Sequence, residues 1–173
     1  MKKIVLLIAA FVAVAAYGQN QADTTGPWKI SGLGSLTLNQ ASFNNWSAGG
    51  ENSVAAMAIF KFYADYKKNK FSVNNNANLK YGMINNESYD HPRKNEDLIE
   101  LNSQANYELT KHWSVSTLVN LTTQFAPGYN YPDDSTVISR FFSPAYLTVA
   151  PGILYKPTDY FNILMTPITM RGI

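Results

Sequence analysis

Two pairs of neighbouring residues carry side-chain types that could perform hydrolysis. Asp90 precedes His91 in one polar stretch, and Asp133 precedes Asp134 in another. Carboxylates can orient a water molecule while an imidazole removes its proton, so the two pairs facing each other would form a catalytic site. The alternative is turn formation, because Asp side chains accept hydrogen bonds from their own backbone. The turn interpretation is favoured, since the sequence does not show the geometry that a general base requires.

Other chemistry has weaker signals. The segment 133–135 offers oxygen ligands to calcium, but its residues are consecutive instead of spaced along a binding loop. The chain has no cysteine, no glycine-rich phosphate loop and no histidine cluster, so we expect neither a metal nor a cofactor. The rings of Trp46, Tyr129 and Tyr131 could stack on sugars or peptides. The alternative is that these rings anchor the chain at a membrane interface.

The first 18 residues have the composition of an export signal. Lys2 and Lys3 precede an apolar run over 4–16, and Ala16 and Gly18 are small residues at the positions that a signal peptidase reads. The run is shorter than the ~20 residues of a membrane-spanning helix. We therefore predict a cleaved signal peptide at 1–18.

The composition of the remaining chain is typical of a protein in which neutral polar side chains line an interior surface. Two of the 14 Lys and Arg residues lie in the leader, which leaves 12 basic and 12 acidic residues and a net charge of zero. Charged residues make up 15% of the chain, compared with about 25% in a soluble domain. The balanced charge gives no reason to expect a nucleic-acid partner.

Apolar and polar residues alternate with a period of two residues in two stretches of the chain. Apolar residues share one parity over 71–83 and over 99–109, and polar residues share the other. Successive side chains of a strand point to opposite faces, so each stretch is a strand with one apolar and one polar face. We expect eight amide side chains of the polar face to line a lumen: Asn74, Asn76, Asn78, Asn102, Gln104, Asn106, Asn120 and Gln124.

Seven strands are predicted, and their connections alternate in length. The strands are expected at 30–43, 54–66, 71–84, 98–109, 113–125, 145–155 and 160–169. The connections are tight at 67–70, 110–112 and 156–159, and long at 44–53, 85–97 and 126–144. Outer-membrane barrels have short periplasmic turns and longer extracellular loops. Aromatic residues also gather beside the tight turns, as they do at membrane interfaces.

These features favour an all-β fold, an antiparallel up-and-down transmembrane β-barrel in the outer membrane of a Gram-negative envelope. The alternative is a soluble barrel or sandwich, in which the apolar face would point inward. Seven strands leave the barrel incomplete, because single-chain bacterial barrels have an even number and an open edge is not viable in hydrocarbon. We therefore expect a C-terminally truncated sequence, with a periplasmic segment at 19–29 and the barrel domain at 30–173.

Several segments are similar to those of a known family. They are SLTLNQASFNNWSAGGENS from Ser35, LIELNSQANYEL from Leu98, TQFAPGYNYPDDSTVISRFFSPAYL from Thr123 and YKPTDYF from Tyr155. The chain resembles Bacteroidetes-type outer-membrane β-barrels that are catalogued as a domain of unknown function, DUF3078. The resemblance extends over the predicted mature chain and implies the barrel fold and the outer-membrane location. Members of that family are longer, which agrees with truncation, and the family has no assigned activity.

Three functions remain open at this point. The first is a pore or structural barrel with an Asn/Gln-lined lumen, and this lumen either admits small hydrophilic solutes or is filled by the same side chains. The second is an outer-membrane hydrolase with an extracellular Asp/His site, and the third is a surface binding protein that acts through its aromatic loops. A non-enzymatic role is favoured. The expected partners are membrane lipid and, during export, periplasmic chaperones and the barrel-assembly machinery.

Overall fold

The computed structural model describes residues 26–43, 50–158 and 160–173, except for the side chain of Asp134. The predicted leader at 1–18 and Trp46 lie outside the described residues. In the described part of the chain the secondary structure is entirely β. The strands are β1 (Trp28–Ala41), β2 (Ser53–Lys68), β3 (Phe71–Asn86), β4 (Arg93–Glu108), β5 (Trp113–Thr123), β6 (Gly128–Asn130), β7 (Asp133–Ser139), β8 (Tyr146–Thr158), β9 (Phe161–Met165) and β10 (Met170–Gly172).

The main sheet is an antiparallel up-and-down arrangement. Its order is β1-β2-β3-β4-β5-β8, with β9 and β10 both paired to the far side of β8. Strands β6 and β7 form a separate hairpin between β5 and β8. The sheet does not close, because β1 and the β9/β10 side are its two ends. The predicted fold class is therefore confirmed, and the open sheet agrees with the prediction of an incomplete barrel.

The first six predicted strands match observed strands, with ends that differ by up to five residues, whereas the seventh, predicted at 160–169, is divided into β9 and β10. Strand β4 begins at Arg93, five residues before the predicted start at Leu98, and the connection from β3 is correspondingly shorter. The register shifts between Gly82 and Met83, so β4 carries one extra residue and its polar beginning still pairs with β3. The long connection 126–144 contains the β6–β7 hairpin, which the sequence did not predict.

The two faces of the sheet differ in burial as well as in polarity. We call the face with Asn74, Asn76 and Asn78 the amide face and the opposite face the apolar face. Of the four buried side chains that the structure describes, Asn106, Ser116 and Ala150 lie on the amide face, and Thr123, at the end of β5, lies on the apolar face. Ala150 is the one buried apolar side chain in the described part of the chain.

Large apolar side chains are exposed on the apolar face instead of packing into a core. They include Ile30, Leu36, Leu38, Phe60, Phe71, Leu101, Tyr107, Val115, Leu147, Ile153 and Met170. Two exposed exceptions, Leu33 and Tyr63, lie on the amide side near the β1 end of the sheet. A soluble sheet buries its apolar face, so this arrangement is the reverse of the usual one. Among the described residues there is no helix long and apolar enough to cross a membrane.

Candidate functional site

Strand register brings the predicted lumen residues to one face. Asn74, Asn76 and Asn78 of β3 lie opposite Gln104, Asn102 and Glu100 of β4, respectively. Asn102 lies opposite Asn120 of β5, and Asn106 lies opposite Ser116. Residues that pair directly across an antiparallel ladder have neighbouring side chains, so amides on adjacent strands meet. Seven of the eight predicted residues share the amide face; Gln124 lies beyond the end of β5.

One chain of hydrogen bonds crosses four strands toward the tight-turn end. Asn74 Nδ2 donates to Asp65 Oδ1 (2.9 Å), and Asn106 Nδ2 donates to Asn74 Oδ1 (3.4 Å). Gln104 Nε2 donates to Asn106 Oδ1 (3.0 Å) and to Ser116 Oγ (2.9 Å). Ser116 Oγ in turn donates to Asn106 Oδ1 over 2.7 Å, which satisfies the most deeply buried hydroxyl in this group.

A second chain runs parallel to the first. Asn102 Nδ2 donates to Asn76 Oδ1 over 3.0 Å, and Asn120 Nδ2 donates to Asn102 Oδ1 over 2.7 Å. Thr122 Oγ1 donates to Asn120 Oδ1 over 3.1 Å. We call the two chains together the amide ladder; its members are Asn74, Asn76, Asn102, Gln104, Asn106, Ser116, Asn120 and Thr122. Asn74, Asn102, Asn106 and Asn120 each donate and accept, whereas Asn76 accepts and Gln104 donates, and all of these amides are uncharged.

Charged side chains lie on the amide face around the ladder. Asn78 Nδ2 donates to Glu100 Oε2 over 3.3 Å. Lys61 pairs directly with Asn78, and Lys80 is two residues further along the same face of β3. Asp65 and these three charged residues give both signs of charge. A surface with neutral amides and balanced charges can solvate hydrophilic molecules without selecting strongly for one charge.

Aromatic rings form a row on the apolar face beside the tight turns. The ring centroids of Trp28 and Tyr66 are 4.9 Å apart, and those of Tyr66 and Phe71 are 6.3 Å apart. Trp113 and Tyr155 approach to 4.5 Å. The predicted clustering of aromatics at this end is therefore a real surface feature. At the other end of β3, Tyr81 lies on the same face and is exposed.

The β6–β7 hairpin is attached to the sheet by an ion pair. Lys94 Nζ lies 2.6 Å from Asp97 Oδ2 and donates to the carbonyl oxygen of Ala126 over 2.7 Å. The Asp97 carboxylate, 4% exposed, also accepts from the backbone N–H groups of Phe125 (2.7 Å) and Ala126 (3.0 Å). This cluster supplies partners for every oxygen of a buried carboxylate, which makes the attachment rigid.

Gln124 closes the base of the same hairpin. Its Nε2 donates to the carbonyl oxygens of Arg140 (3.2 Å) and Ser143 (2.7 Å). Gln124 was predicted to line the lumen with the other amides, and its amide hydrogen is instead committed to the loop backbone. The period-two pattern places a side chain on a face, but it does not show that the strand has already ended.

A cleft of about 380 Å³ lies between the hairpin and the β3–β4 end of the sheet. We call it the rim cleft. Its lining includes Tyr81, Met83, His91, Lys94, Tyr129 and Tyr131. Arg93 is next to it, and its guanidinium lies over the rings of Tyr89 (4.0 Å) and Tyr131 (4.4 Å). Tyr129 and Tyr131 were predicted from the sequence as possible stacking residues, whereas Arg93 was not, because its only local signal is a Tyr four residues earlier.

The predicted hydrolytic residues lie near the same rim. His91 is exposed and lines the cleft, and Asp90 is exposed beside it. The Asp133 carboxylate accepts hydrogen bonds from Ser135 Oγ and Thr136 Oγ1 and from the backbone N–H of Ser135. These bonds lower the pKa of Asp133 to about 2. The favoured turn interpretation thus describes what the Asp133 side chain does, and the catalytic hypothesis stays a prediction.

The side chain of Asp134 lies outside the described residues. In the part of the chain that the structure describes, no three His, Asp or Glu side chains are grouped closely enough to hold a metal ion.

Comparison with known proteins yields one match. The model of a family described as "Protein of unknown function (DUF3078)" matches residues 38–129. The curated proteins and the solved structures give no match. The matched segment includes the last four residues of β1, all of β2 to β5 and the first residues of the hairpin, so it contains the whole amide ladder. Because the match covers more than half of the chain, the protein belongs to the DUF3078 family of proteins of unknown function.

Proposed function

We propose that this chain is an outer-membrane β-barrel protein whose amide face lines a lumen for small hydrophilic solutes. The proposal includes export through a cleaved signal peptide, assembly by periplasmic chaperones and the barrel-assembly machinery, and contact of the apolar face with lipid. The observation that carries it is the reversed burial: the side chains Asn106 and Ser116 are buried, while Leu101, Phe60 and Ile153 are exposed.

The extent of the apolar face supports a membrane location. From Phe71 to Tyr81, strand β3 advances ten residues, which is roughly 34 Å along the strand and about 26 Å along the barrel axis at the usual tilt. Lys68 pairs with Phe71 and Asp97 pairs with Tyr81, and strictly inside those two levels the apolar face of the described strands carries no Asp, Glu, Lys or Arg. Outer-membrane barrels have an apolar band of about 25 Å between two aromatic rows.

The polar side chains in the middle of the apolar face have hydrogen-bond partners within the protein. Asn75 is the most polar side chain in the middle of the band, opposite Ser103. Its Nδ2 donates to the carbonyl oxygen of Ala64 over 2.9 Å, and its Oδ1 accepts from Ser103 Oγ over 2.8 Å. Lipid offers no hydrogen-bond partner, so a polar pair is tolerated on such a face only when its members bond to each other or to the backbone.

The hydrogen bonds of the amide ladder run along the sheet, which supports a lumen that these side chains line and do not fill. The amides bond to side chains of neighbouring strands in the same sheet and therefore lie along its surface. Side chains that filled the interior would project across it toward other strands. A lipid-facing barrel also requires that the free edges of β1 and of β9/β10 be paired in the assembled protein.

Single-cysteine labelling tests the orientation of the two faces, because the natural chain has no cysteine. Leu101→Cys and Asn102→Cys are neighbours on β4 that point to opposite faces. In reconstituted vesicles we expect a lipid-soluble maleimide to label position 101 and a water-soluble maleimide to label position 102. Labelling of Leu101→Cys by the water-soluble reagent at the rate of an unfolded control would overturn the proposal.

Conductance tests the lumen separately. Full-length protein in planar bilayers should give unitary current steps with little preference between potassium and chloride, because the lining is neutral. Replacing Asn76 and Asn120 together with Asp should shift the preference toward potassium. The absence of unitary steps would refute a lumen open to solutes and leave a membrane barrel filled by its own side chains.

A further inference from the structure

The β6–β7 hairpin is held in place before any ligand arrives. The Lys94–Asp97 pair fixes its first residues, and the two bonds from Gln124 fix its base. A surface that is already ordered loses little conformational entropy when it binds a ligand. The rim cleft is therefore a preformed cavity, and its volume of about 380 Å³ lies within the range of small-molecule sites.

Three tyrosines give the cleft both flat apolar surfaces and hydroxyl groups. Tyr81 projects from β3, and Tyr129 and Tyr131 come from the hairpin, with Met83 between these walls. The rings of Tyr129 and Tyr131 have centroids 6.2 Å apart at an angle of 54°. The electron-rich face of such rings attracts the weakly positive C–H groups of a sugar ring, while phenol hydroxyls can bond its hydroxyls.

Two of the cationic side chains at the cleft, Lys94 and Arg93, are already engaged by groups of the protein. The Lys94 ammonium is compensated by the Asp97 carboxylate behind it, which leaves His91 as the other ionisable cationic group in the lining. The Arg93 guanidinium lies 4.4 Å from the centroid of the Tyr131 ring, which favours this position of the ring. A neutral, hydroxyl-rich ring with an apolar face matches these surfaces better than an acyl chain, which offers no hydrogen-bond partner to the phenol hydroxyls.

From this arrangement we propose that the rim cleft binds a ring of a neutral saccharide, stacked on Tyr129 and bonded by Tyr81 and Tyr131. The saccharide is either a free oligosaccharide or the head group of a glycolipid, since both present the same ring. The inference goes beyond the proposed lumen, because the cleft lies outside the amide face and does not depend on solute passage.

Binding is measured with full-length protein in detergent micelles, so the result does not depend on conductance or on cellular location. The soluble probes are maltohexaose, cellohexaose, xylohexaose and mannohexaose, measured by saturation-transfer NMR and calorimetry. Vesicles containing diglucosyl diacylglycerol serve as the glycolipid probe, with phosphatidylcholine vesicles as the blank. We expect binding of at least one probe, and binding only to the glycolipid vesicles identifies the head group as the source.

Variants then locate the site. Tyr129→Ala should weaken binding about tenfold, the effect of losing one stacked ring. Tyr129→Leu keeps the bulk of the side chain and should weaken binding as much, which separates loss of stacking from loss of folding. Tyr160→Ala is the matched control, because Tyr160 is 91% exposed beside the β8–β9 turn at the other end of the sheet. Binding to none of the probes, equal binding by all three variants, or preference for a proline-rich peptide over every saccharide would overturn the proposal.

Discussion

A charged residue in the middle of the apolar face gives the sharpest test of the reversed burial. Leu101 lies on β4 opposite Ala77 and Leu121, and it is 41% exposed. It is six residues from Tyr107 in the aromatic row, which corresponds to about 16 Å along the barrel axis at the usual strand pitch and tilt. That depth is close to the middle of a hydrocarbon layer about 30 Å thick.

The substitution Leu101→Arg should therefore lower the free energy of unfolding by about 2–4 kcal/mol in a bilayer. The same change at Leu109, in the tight turn after β4, should cost about 0–1 kcal/mol, because the charge then reaches the interface. If the apolar face met water instead, Arg at a residue this exposed would change the stability by less than about 0.5 kcal/mol.

The assay is equilibrium unfolding by guanidinium in phosphatidylcholine vesicles, followed by tryptophan fluorescence. Reversibility is checked by refolding from denaturant into the same vesicles. The reasoning is refuted if Leu101→Arg and Leu109→Arg differ by less than 1 kcal/mol while both proteins refold. A loss that is as large for Leu101→Asn as for Leu101→Arg would also refute it, since the charge would then not be the cause.

Three further predictions concern packing and turn chemistry. Ser116→Ala should lower the free energy of unfolding by about 1–3 kcal/mol, because two hydrogen bonds of a hydroxyl in a 1%-exposed residue are lost; an unchanged denaturant midpoint would contradict the ladder. Gly152→Val should destabilise the protein by about 1–3 kcal/mol through overpacking, because a Cβ at Gly152 would overlap the carbonyl oxygen of Met165. Gly34→Val is the control and should not destabilise the protein by overpacking, because the space around Gly34 is open. NMR titration should give Asp133 a pKa of about 2. Because this pKa is depressed, the ionised carboxylate stabilises the hairpin above the ordinary pKa of 3.8, and this stabilisation is lost as the pH falls toward 2. A measured pKa near 4 would show that the turn hydrogen bonds are not formed.

The strands of the sheet and their faces could be predicted because successive side chains of a strand point to opposite faces. Wherever alternation was strict, as in β3 from Phe71, the strand and the face of each residue were predicted correctly. The start of β4 was missed because the residues from Arg93 are polar on both faces, and their pairing depends on an extra residue opposite Gly82. No periodic signal marks a bulge, so this boundary depended on the partner strand.

The hairpin was harder to predict than the sheet. Its strands β6 and β7 are short and polar, and they are stabilised by contacts with distant residues, above all the Lys94–Asp97 pair. Gln124 was placed with the lumen residues because the parity of β5 extends to it, although the loop carbonyls compete for its amide. The rim cleft arises from segments more than 30 residues apart, and sequence spacing does not show such a meeting.

The amide ladder also has a consequence for how the strands find their partners. A one-residue slip between β3 and β4 would turn the side chains of one strand to the opposite face relative to the other. Each amide would then meet an apolar side chain, and the bonds between Asn76 and Asn102 and between Asn74 and Asn106 would all be lost at once. The ladder thus favours alignments of β3 and β4 in which amide faces amide, and it disfavours every one-residue slip between these strands.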